Sequence, residues 1–208
     1  KEAFRPPVWN LAQSPSGGRI RFRTDSTRVG LVAKSLSGTD AGRAPHANSI
    51  GVGGFDLYVG GHYADSVWPA QGGVIRKDFV VGGKQEKGMR DITLYLPLGR
   101  AVAIEAITLD LEAKVEPATP YRVKKPLVYY GSSRTQGIGA DNPGLSYQAM
   151  LGRWLDADFV NLGFSGNGLG DPEVAQAICQ MDPSCVVLDF WANPTPKVYE
   201  EKLPAFTE

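Results

Sequence analysis

Leu-Val-Tyr-Tyr-Gly-Ser-Ser-Arg-Thr-Gln-Gly, residues 127–137, is the stretch that decides the fold of the second half of the chain. Its apolar and aromatic beginning predicts a short buried strand that breaks at Gly131. Ser132 and Ser133 then lie on the turn beyond the strand, where a hydroxyl meets solvent on one side and the N–H groups of a helix start on the other. Such N–H groups can hold an oxyanion. A nucleophile would therefore lie on this turn.

Two later stretches have the form expected of partners for that turn. They are Asn-Leu-Gly-Phe-Ser-Gly-Asn-Gly at residues 161–168 and Leu-Asp-Phe-Trp-Ala-Asn-Pro at residues 188–194. Each follows an apolar run of its own and ends in Gly or Asn at a turn. The order Ser, Gly, Asn at successive strand ends is a candidate catalytic constellation, judged by geometry rather than by any one motif.

The same half alternates between strand and helix patterns, which predicts a parallel α/β sheet. Residues 146–155 place apolar and aromatic side chains on one face at helical spacing, and Ser146 can cap that helix. A second helix is predicted over residues 172–181 and a further strand over residues 185–190. Residues 196–206 have the pattern of the beginning of a third helix.

The first half has a different pattern, typical of β-structure. Arg19-Ile20-Arg21-Phe22-Arg23 alternates strictly between polar and apolar side chains, and Gly60-Gly61 predicts a two-residue hairpin loop. Further strand-like runs, separated by Gly, Pro, Asp and Asn, occur at residues 29–36, 55–59, 63–67, 74–81, 92–96 and 104–111. Many short strands with glycine turns favour an antiparallel β-sandwich.

Residues 116–126 contain three prolines and no periodicity, so they are predicted to form a linker or an extended crossover. We place the domain boundary there. Residues 1–120 are predicted to form the β-sandwich domain, and residues 121–208 the α/β domain.

Composition excludes several classes of function. Lys plus Arg and Asp plus Glu both number 22 among the 208 residues, so the net charge is zero and a nucleic-acid partner has no electrostatic support. No apolar run approaches the roughly 18–20 residues of a membrane span. Cys179 and Cys185 lack a second pair for a metal site, and we interpret them as buried free thiols rather than a disulfide. Neither metal nor cofactor is implied, and secreted, periplasmic and cytoplasmic locations all stay open.

The three strand-end stretches together resemble the SGNH (GDSL-type) hydrolase family. Residues 131–137 are similar to its first block, with Ser132 in place of the usual Asp, and the resemblance implies that Ser133 is the nucleophile. It also implies that Gly166, in the second block, gives its N–H to the oxyanion and that Asn193, in the third, gives its side-chain amide. The trio makes physical sense because an oxyanion needs two or three fixed donors.

Residues 54–58, Gly-Phe-Asp-Leu-Tyr, are similar to the Gly-x-Asp-Leu-Tyr signature of an amino-terminal sandwich that precedes SGNH domains in one esterase subfamily. The expected fold is therefore α/β plus all-β. It combines an amino-terminal antiparallel β-sandwich, jelly-roll-like, with an incomplete flavodoxin-like parallel α/β SGNH domain.

The general base is the gap in this resemblance. The family uses a histidine near the carboxyl terminus with an acidic residue about three positions before it, whereas this sequence has only His46 and His62, both in the β half. Residues 124–208 also provide only three predicted strands, fewer than a doubly wound sheet generally has. We therefore expect a catalytic domain truncated at Glu208, with Asp and His on a missing carboxyl-terminal segment.

The resemblance implies a serine esterase that acts on short-chain esters, with acetyl as the leading acyl group and carbohydrate or other small-molecule esters as substrates. Two alternatives are an acyltransferase that uses the same site and a non-catalytic glycan- or partner-binding relative that lacks the base. A dinucleotide site is disfavoured because Gly163, Gly166 and Gly168 have the wrong spacing.

Several neighbouring residues have a structural interpretation beside a functional one. Asp56 is expected to be a turn or ladder hydrogen-bond partner, and Asp189 a buried hydrogen-bonding acid at the sheet end. Phe190 and Trp191 are expected in the core, although Trp191 could border the acyl pocket. Arg134 replaces a residue that is usually aliphatic, so it either brings a cation to the acyl site or points along the surface.

Overall fold

The structure is a computed structural model that describes residues 2–36, 49–83 and 88–208. Within these ranges it contains both strands and α-helices. The strands are β1 Arg19–Thr24, β2 Arg28–Ser35, β3 Phe55–Val59, β4 His62–Val67, β5 Val74–Val80, β6 Arg90–Tyr95, β7 Val102–Leu109, β8 Val115–Pro117, β9 Val123–Gly131, β10 Ala157–Gly163 and β11 Cys185–Asp189. The helices are α1 Pro6–Leu11, α2 Ser49–Gly53, α3 Ser133–Gln136, α4 Tyr147–Leu155, α5 Pro172–Cys179 and α6 Pro196–Thr207. We call residues 19–117 the β half and residues 123–207 the α/β half.

The β half contains two antiparallel sheets. One has the order β4-β3-β6-β1-β8 and the other the order β5-β2-β7. Both sheets contribute to one hydrophobic core, because alternate residues of each strand point inward. That core includes Leu31 from the smaller sheet and Phe55, Leu57 and Leu94 from the larger one. The described strands follow the predicted runs closely, and β8 overlaps the start of the stretch that was predicted to be a linker.

The α/β half contains one parallel sheet with the order β10-β9-β11. The central strand β9 begins at Val123, earlier than the strand predicted from residue 127, and runs through Pro126. Its pairing with β10 shifts register between Ala157 and Phe159. Proline has no N–H to donate to a neighbouring strand. It is therefore tolerated within a paired strand at an irregularity of this kind.

The predicted helices of the α/β half are all present. α4 follows Ser146, whose hydroxyl accepts a hydrogen bond from the N–H of Ala149, so the predicted cap is confirmed. α5 begins at Pro172, and α6 begins at Pro196. No helix in the described ranges is both long enough and apolar enough to cross a membrane.

The first helix packs into a second hydrophobic core, that of the α/β half, although the helix lies within the segment predicted as the β-sandwich domain. Val8 is 2% exposed and packs with Tyr130 and Phe190 of the α/β half. Arg5 donates from Nε and NH2 to the two carboxylate oxygens of Asp171, at 2.6 and 3.0 Å. The sequence analysis did not find α1, because six residues are too few to show a helical period.

The predicted burial of the two cysteines is wrong. Cys179 and Cys185 are both free and exposed. Cys179 is the last residue of α5, and Cys185 opens β11, which pairs with β9 along one edge only in the described structure. An edge strand is less covered than its apolar sequence suggests.

Candidate active site

The parallel sheet brings the three predicted site loops to one edge. Gly131, Gly163 and Asp189 lie at the same level of the sheet, since Gly131 pairs with Gly163 on one side and with Asp189 on the other. Ser133 follows the first of these by two positions, Gly166 the second by three and Asn193 the third by four. The three loops that carry these residues thus leave the sheet at the same level of its carboxyl edge. Ligands bind at this edge in α/β sheets.

Ser133 is the first residue of α3 and is half-buried. Ser132 precedes it in an extended conformation and is 1% exposed. The Ser132 hydroxyl has no hydrogen-bond partner among the described residues. Of the two adjacent serines, Ser133 is therefore the one with a surface that a substrate can reach.

Gly168 connects the second loop to the other two. Its N–H donates to Oδ1 of Asn193 at 3.2 Å. A Cβ at Gly168 would overlap the carbonyl oxygen of Gly131 and lie 3.2 Å from the N of Ser132. No site role was predicted for Gly168 itself. The nearby Gly166 is exposed, has φ +69°, and has open space on its Cβ side.

The hydrogen bond to Gly168 also orients the Asn193 amide. Since Oδ1 accepts from the backbone, Nδ2 is left as the donor end of the side chain. Asn193 is half-buried, and its own N–H reaches the carbonyl of Phe190 at 3.4 Å. Asn193 is thus hydrogen-bonded to Gly168, and Gly168 in turn packs against the backbone of Ser132.

Amide side chains that sequence analysis did not identify hold α3 in place. The carbonyl of Thr135 accepts from Gln148 Nε2 at 2.6 Å and from Asn161 Nδ2 at 2.7 Å. Gln136 accepts from the N–H of Ser165 at 3.1 Å and donates to the carbonyl of Leu98 in the β half at 3.2 Å. A helix of four residues has few bonds of its own, so these contacts fix its position.

Asp189 is a hydrogen-bonding acid at the sheet end, as expected, but it is half-buried rather than buried. Its Oδ2 accepts from Thr135 Oγ1 at 3.0 Å, and its Oδ1 from Trp191 Nε1 at 3.1 Å. Tyr147 lies at 3.4 Å from Oδ2, and burial raises the pKa of Tyr147 to about 12. The carboxylate therefore links β11 to α3 beneath the candidate site.

The prediction that Trp191 lies in the core is wrong, whereas Phe190 is fully buried as predicted. Trp191 is 55% exposed, and its ring lies 5.3 Å from the guanidinium of Arg134, which is also exposed. The indole N–H is bonded to Asp189, which turns the ring outward over the loop. Arg134 and Trp191 therefore form a surface pair, and Arg134 is the residue that follows Ser133 in the chain.

Of the two histidines, His46 lies outside the described residues. His62 is exposed at the start of β4, where it pairs with Val59 across the Gly60-Gly61 hairpin. The described residues thus include Ser133, Gly166 and Asn193, whose catalytic roles stay predictions, as does the general base.

Two family models match the chain. The model for the N-terminus of SGNH-hydrolase-type esterases, known by its GxDLY signature, covers residues 1–115. The GDSL-like lipase/acylhydrolase family covers residues 124–207. No curated protein matches the sequence.

Solved structures of similar fold agree with these matches. A GDSL-like lipase structure from Bacteroides ovatus is 27% identical with a TM-score of 0.87, covering 99% of this chain and 60% of that one. The salicylyl-acyltransferase SsfX3 from a tetracycline biosynthetic pathway is 20% identical with a TM-score of 0.78, covering 99% and 57%. A family two carbohydrate esterase from Clostridium thermocellum, in complex with cellohexaose, is 16% identical with a TM-score of 0.65, covering 93% and 66%. This chain therefore spans about three fifths of the first two proteins.

Proposed function

Because the chain belongs to the SGNH-hydrolase-type esterase family with the GxDLY N-terminus, we propose that it forms the nucleophile and oxyanion-hole part of a serine esterase. The Ser133 hydroxyl attacks the ester carbonyl, the bond to the alcohol breaks, and an acyl-Ser133 intermediate remains. Water then attacks the acyl group, which releases the acid and restores the serine. The N–H groups of Ser133 and Gly166 and Nδ2 of Asn193 stabilise the oxyanion.

One observation carries this proposal: the hydrogen bond from Gly168 to Asn193, between loops that leave the sheet at the level of Gly131. It holds the Asn193 side chain on the Gly168 loop and leaves Nδ2 as the donor end of the amide before any substrate binds. Preorganised donors cost no rearrangement when the oxyanion forms, and this arrangement is commonly the largest contribution to such catalysis.

The finer description of the fold is part of the proposal. The sheet order β10-β9-β11 is 2-1-3 in order of appearance, which agrees with the first strands of a flavodoxin-like sheet. Two antiparallel sheets around one core support a jelly-roll-like sandwich in residues 1–120, apart from α1. Residues 121–208 would then be the amino-terminal part of the SGNH domain.

The proposed substrates are short-chain esters, acetyl esters first, with carbohydrate esters as the leading class. The relationship to a carbohydrate esterase supports this choice, and the similarity to an acyltransferase supports transfer to an alcohol as the alternative outcome of the same acyl-enzyme. The general base is proposed to be the histidine of an Asp-x-x-His on residues that follow Glu208. Sequencing the gene beyond that codon tests this directly.

The nucleophile is tested by covalent labelling of the complete natural protein with a fluorophosphonate, read by intact mass and peptide mapping. We expect one adduct on Ser133 and turnover of 4-nitrophenyl acetate, both lost in Ser133→Ala. Ser132→Ala is the matched control, because that hydroxyl is buried beside the nucleophile and should not be labelled. Labelling that survives Ser133→Ala would remove the assignment.

A further inference from the structure

The Gly-Phe-Asp-Leu-Tyr stretch forms β3 and divides its side chains between two environments. Phe55 and Leu57 point into the core of the β half. Asp56 and Tyr58 point to the opposite face, since side chains alternate along a strand, and both contact the α/β half. Asp56 is 0% exposed, although it is a carboxylate.

Asp56 binds the loop that follows the nucleophile helix. Its Oδ2 accepts from the backbone N–H of Gly144 at 2.8 Å, and its Oδ1 accepts from Asn142 Nδ2 at 2.9 Å. Ser66 on β4 donates to the same Oδ1 at 2.7 Å and lies 2.7 Å from Asn142 Nδ2. A buried carboxylate is costly unless its oxygens are bonded in this way, and two of the three donors come from the α/β half.

Tyr58 completes the contact with the same loop. A Cβ at Gly144 would lie 2.5 Å from the Tyr58 ring, so the ring packs on the backbone of Gly144. The guanidinium of Arg153 on α4 lies 4.4 Å from the Tyr58 ring centre and donates to Tyr95 at 3.2 Å. The signature strand thus contacts the loop and the helix that follows it.

The same loop is bonded to the nucleophile at its other end. The N–H groups of Gly137 and Ile138 donate to the carbonyl of Ser133 at 3.1 and 2.9 Å. Between Ile138 and Asn142 only a few residues intervene, so a shift at one end of the loop reaches the other. The loop over residues 138–144 therefore joins Asp56 to Ser133.

We propose that Asp56 is a positioning residue, which acts through Asn142 and Gly144 to hold the loop over residues 138–144 and thereby the backbone of Ser133. The β half is then a part of the active site rather than an appended module. This inference rests on the proposed function of Ser133. Its specific prediction is that loss of the Asp56 acceptor lowers kcat and leaves KM nearly unchanged.

The variant Asp56→Asn tests this because an amide keeps the shape and replaces one acceptor with a donor. In either orientation of the new amide, its NH2 group faces a position now occupied by a donor. That donor is either the Gly144 N–H or the pair Asn142 and Ser66. In the complete natural protein, below its unfolding temperature, we expect kcat for 4-nitrophenyl acetate to fall about tenfold or more with KM within about twofold, since misplacing a nucleophile slows the chemical step.

Two further variants separate positioning from general damage. Asp65→Asn removes the neighbouring carboxylate of β4, which is ion-paired with Lys77 at 2.7 Å and is partly exposed, so kcat should be unchanged. The exchanged pair Asp56→Asn with Asn142→Asp restores a donor facing an acceptor, and leaves the amide oxygen at position 56 free to accept from Gly144. It should recover most of the lost kcat.

Hydrogen exchange of residues 138–146 gives a readout that needs no activity, and we expect faster exchange there in Asp56→Asn than in Asp65→Asn. The inference is overturned if Asp56→Asn leaves loop exchange unchanged, or leaves kcat unchanged in an active parent protein. It is also overturned if the loss of kcat is no larger than the fraction of the variant that is unfolded. A parent protein with no Ser133-dependent turnover overturns the proposed function instead, and the loop exchange still decides whether Asp56 holds the loop.

Discussion

The backbone N–H of Gly168 and the side-chain oxygen of Asn193 are joined by a hydrogen bond of 3.2 Å. The bond turns Oδ1 of Asn193 toward Gly168 and leaves Nδ2 as the donor end of the amide. The second loop needs a glycine at position 168, because any side chain there would collide with the carbonyl of Gly131. The hydrogen bond thus joins the second and third loops, and the packing of Gly168 against Gly131 joins both to the first.

Replacing Asn193 with Asp separates the two functions of the amide. The carboxylate can still accept from Gly168, but it has no N–H for an oxyanion and adds a negative charge. We expect kcat for 4-nitrophenyl acetate to fall by about 10²–10³ or more, with the midpoint of thermal unfolding little changed. Asn193→Ala, which loses both functions, serves as the comparison. An Asp variant with near-normal kcat would exclude Asn193 from the oxyanion hole.

Replacing Gly168 with Ala should destabilise the fold. The added methyl group overlaps the carbonyl of Gly131, and such overpacking costs about 1–3 kcal/mol. Gly60→Ala is the control for backbone conformation, since Gly60 lies in the β half and has φ +56° and open space; only the left-handed backbone is penalised, by about 1–2 kcal/mol.

Urea unfolding of both glycine variants provides the measurement, and kcat should fall more in Gly168→Ala. Equal kcat and equal stability in the two variants would contradict the assigned contact between Gly168 and the Ser132 turn.

Asp56 should give a pH-dependent contribution to stability. Burial raises its pKa above the usual 3.8, although bonds from Ser66, Asn142 and Gly144 favour the charged form. The folded state then holds the proton more tightly than the unfolded state, so the contribution is greatest below pH 3.8 and is lost as pH rises through the folded pKa.

The measurement is the free energy of unfolding of the natural protein and of Asp56→Asn at a series of pH values. The difference should move in favour of the Asn variant as pH rises from 3.8 through the folded pKa, and level off above it. A difference that moves the other way would mean that the hydrogen bonds outweigh burial.

The packing of α1 against the α/β half can be tested by replacing Val8. Because Val8 is 2% exposed in the second core, Val8→Ala should lower the free energy of unfolding by about 1–3 kcal/mol. Val115→Ala is the control, since Val115 is 60% exposed on β8 and should change stability little. Urea unfolding that shows no effect at position 8 would mean that the helix is not docked in solution.

Local patterns were sufficient for much of the fold. The alternation over residues 19–23 and the helical spacing over residues 146–155 are properties of neighbouring residues, and both elements formed where they were predicted. α1 was missed because its stability depends on Val8 packing against residues of the distant α/β half. Such a helix has no signal of its own in a short stretch of sequence.

The same limit applies to the candidate site. The strand-end order of Ser, Gly and Asn could be found because each residue follows a recognisable strand. The role of Asp56 could not, since Gly144 lies 88 positions away and its N–H has no sequence signature. Trp191 was misassigned because hydrophobicity does not tell which way a loop side chain turns, and here the bond to Asp189 turns it outward.

The ion pair of Arg5 with Asp171 has a consequence for how the chain folds during translation. The two residues are 166 positions apart, so a ribosome that adds about 5–20 residues per second needs roughly 10–30 s to supply the partner of the first helix. Until Asp171 has been made, the segment around Arg5 lacks the surface that it will cover. The residues around Asp171 must therefore capture a helix that was made well before them, and this contact of the nascent chain forms late.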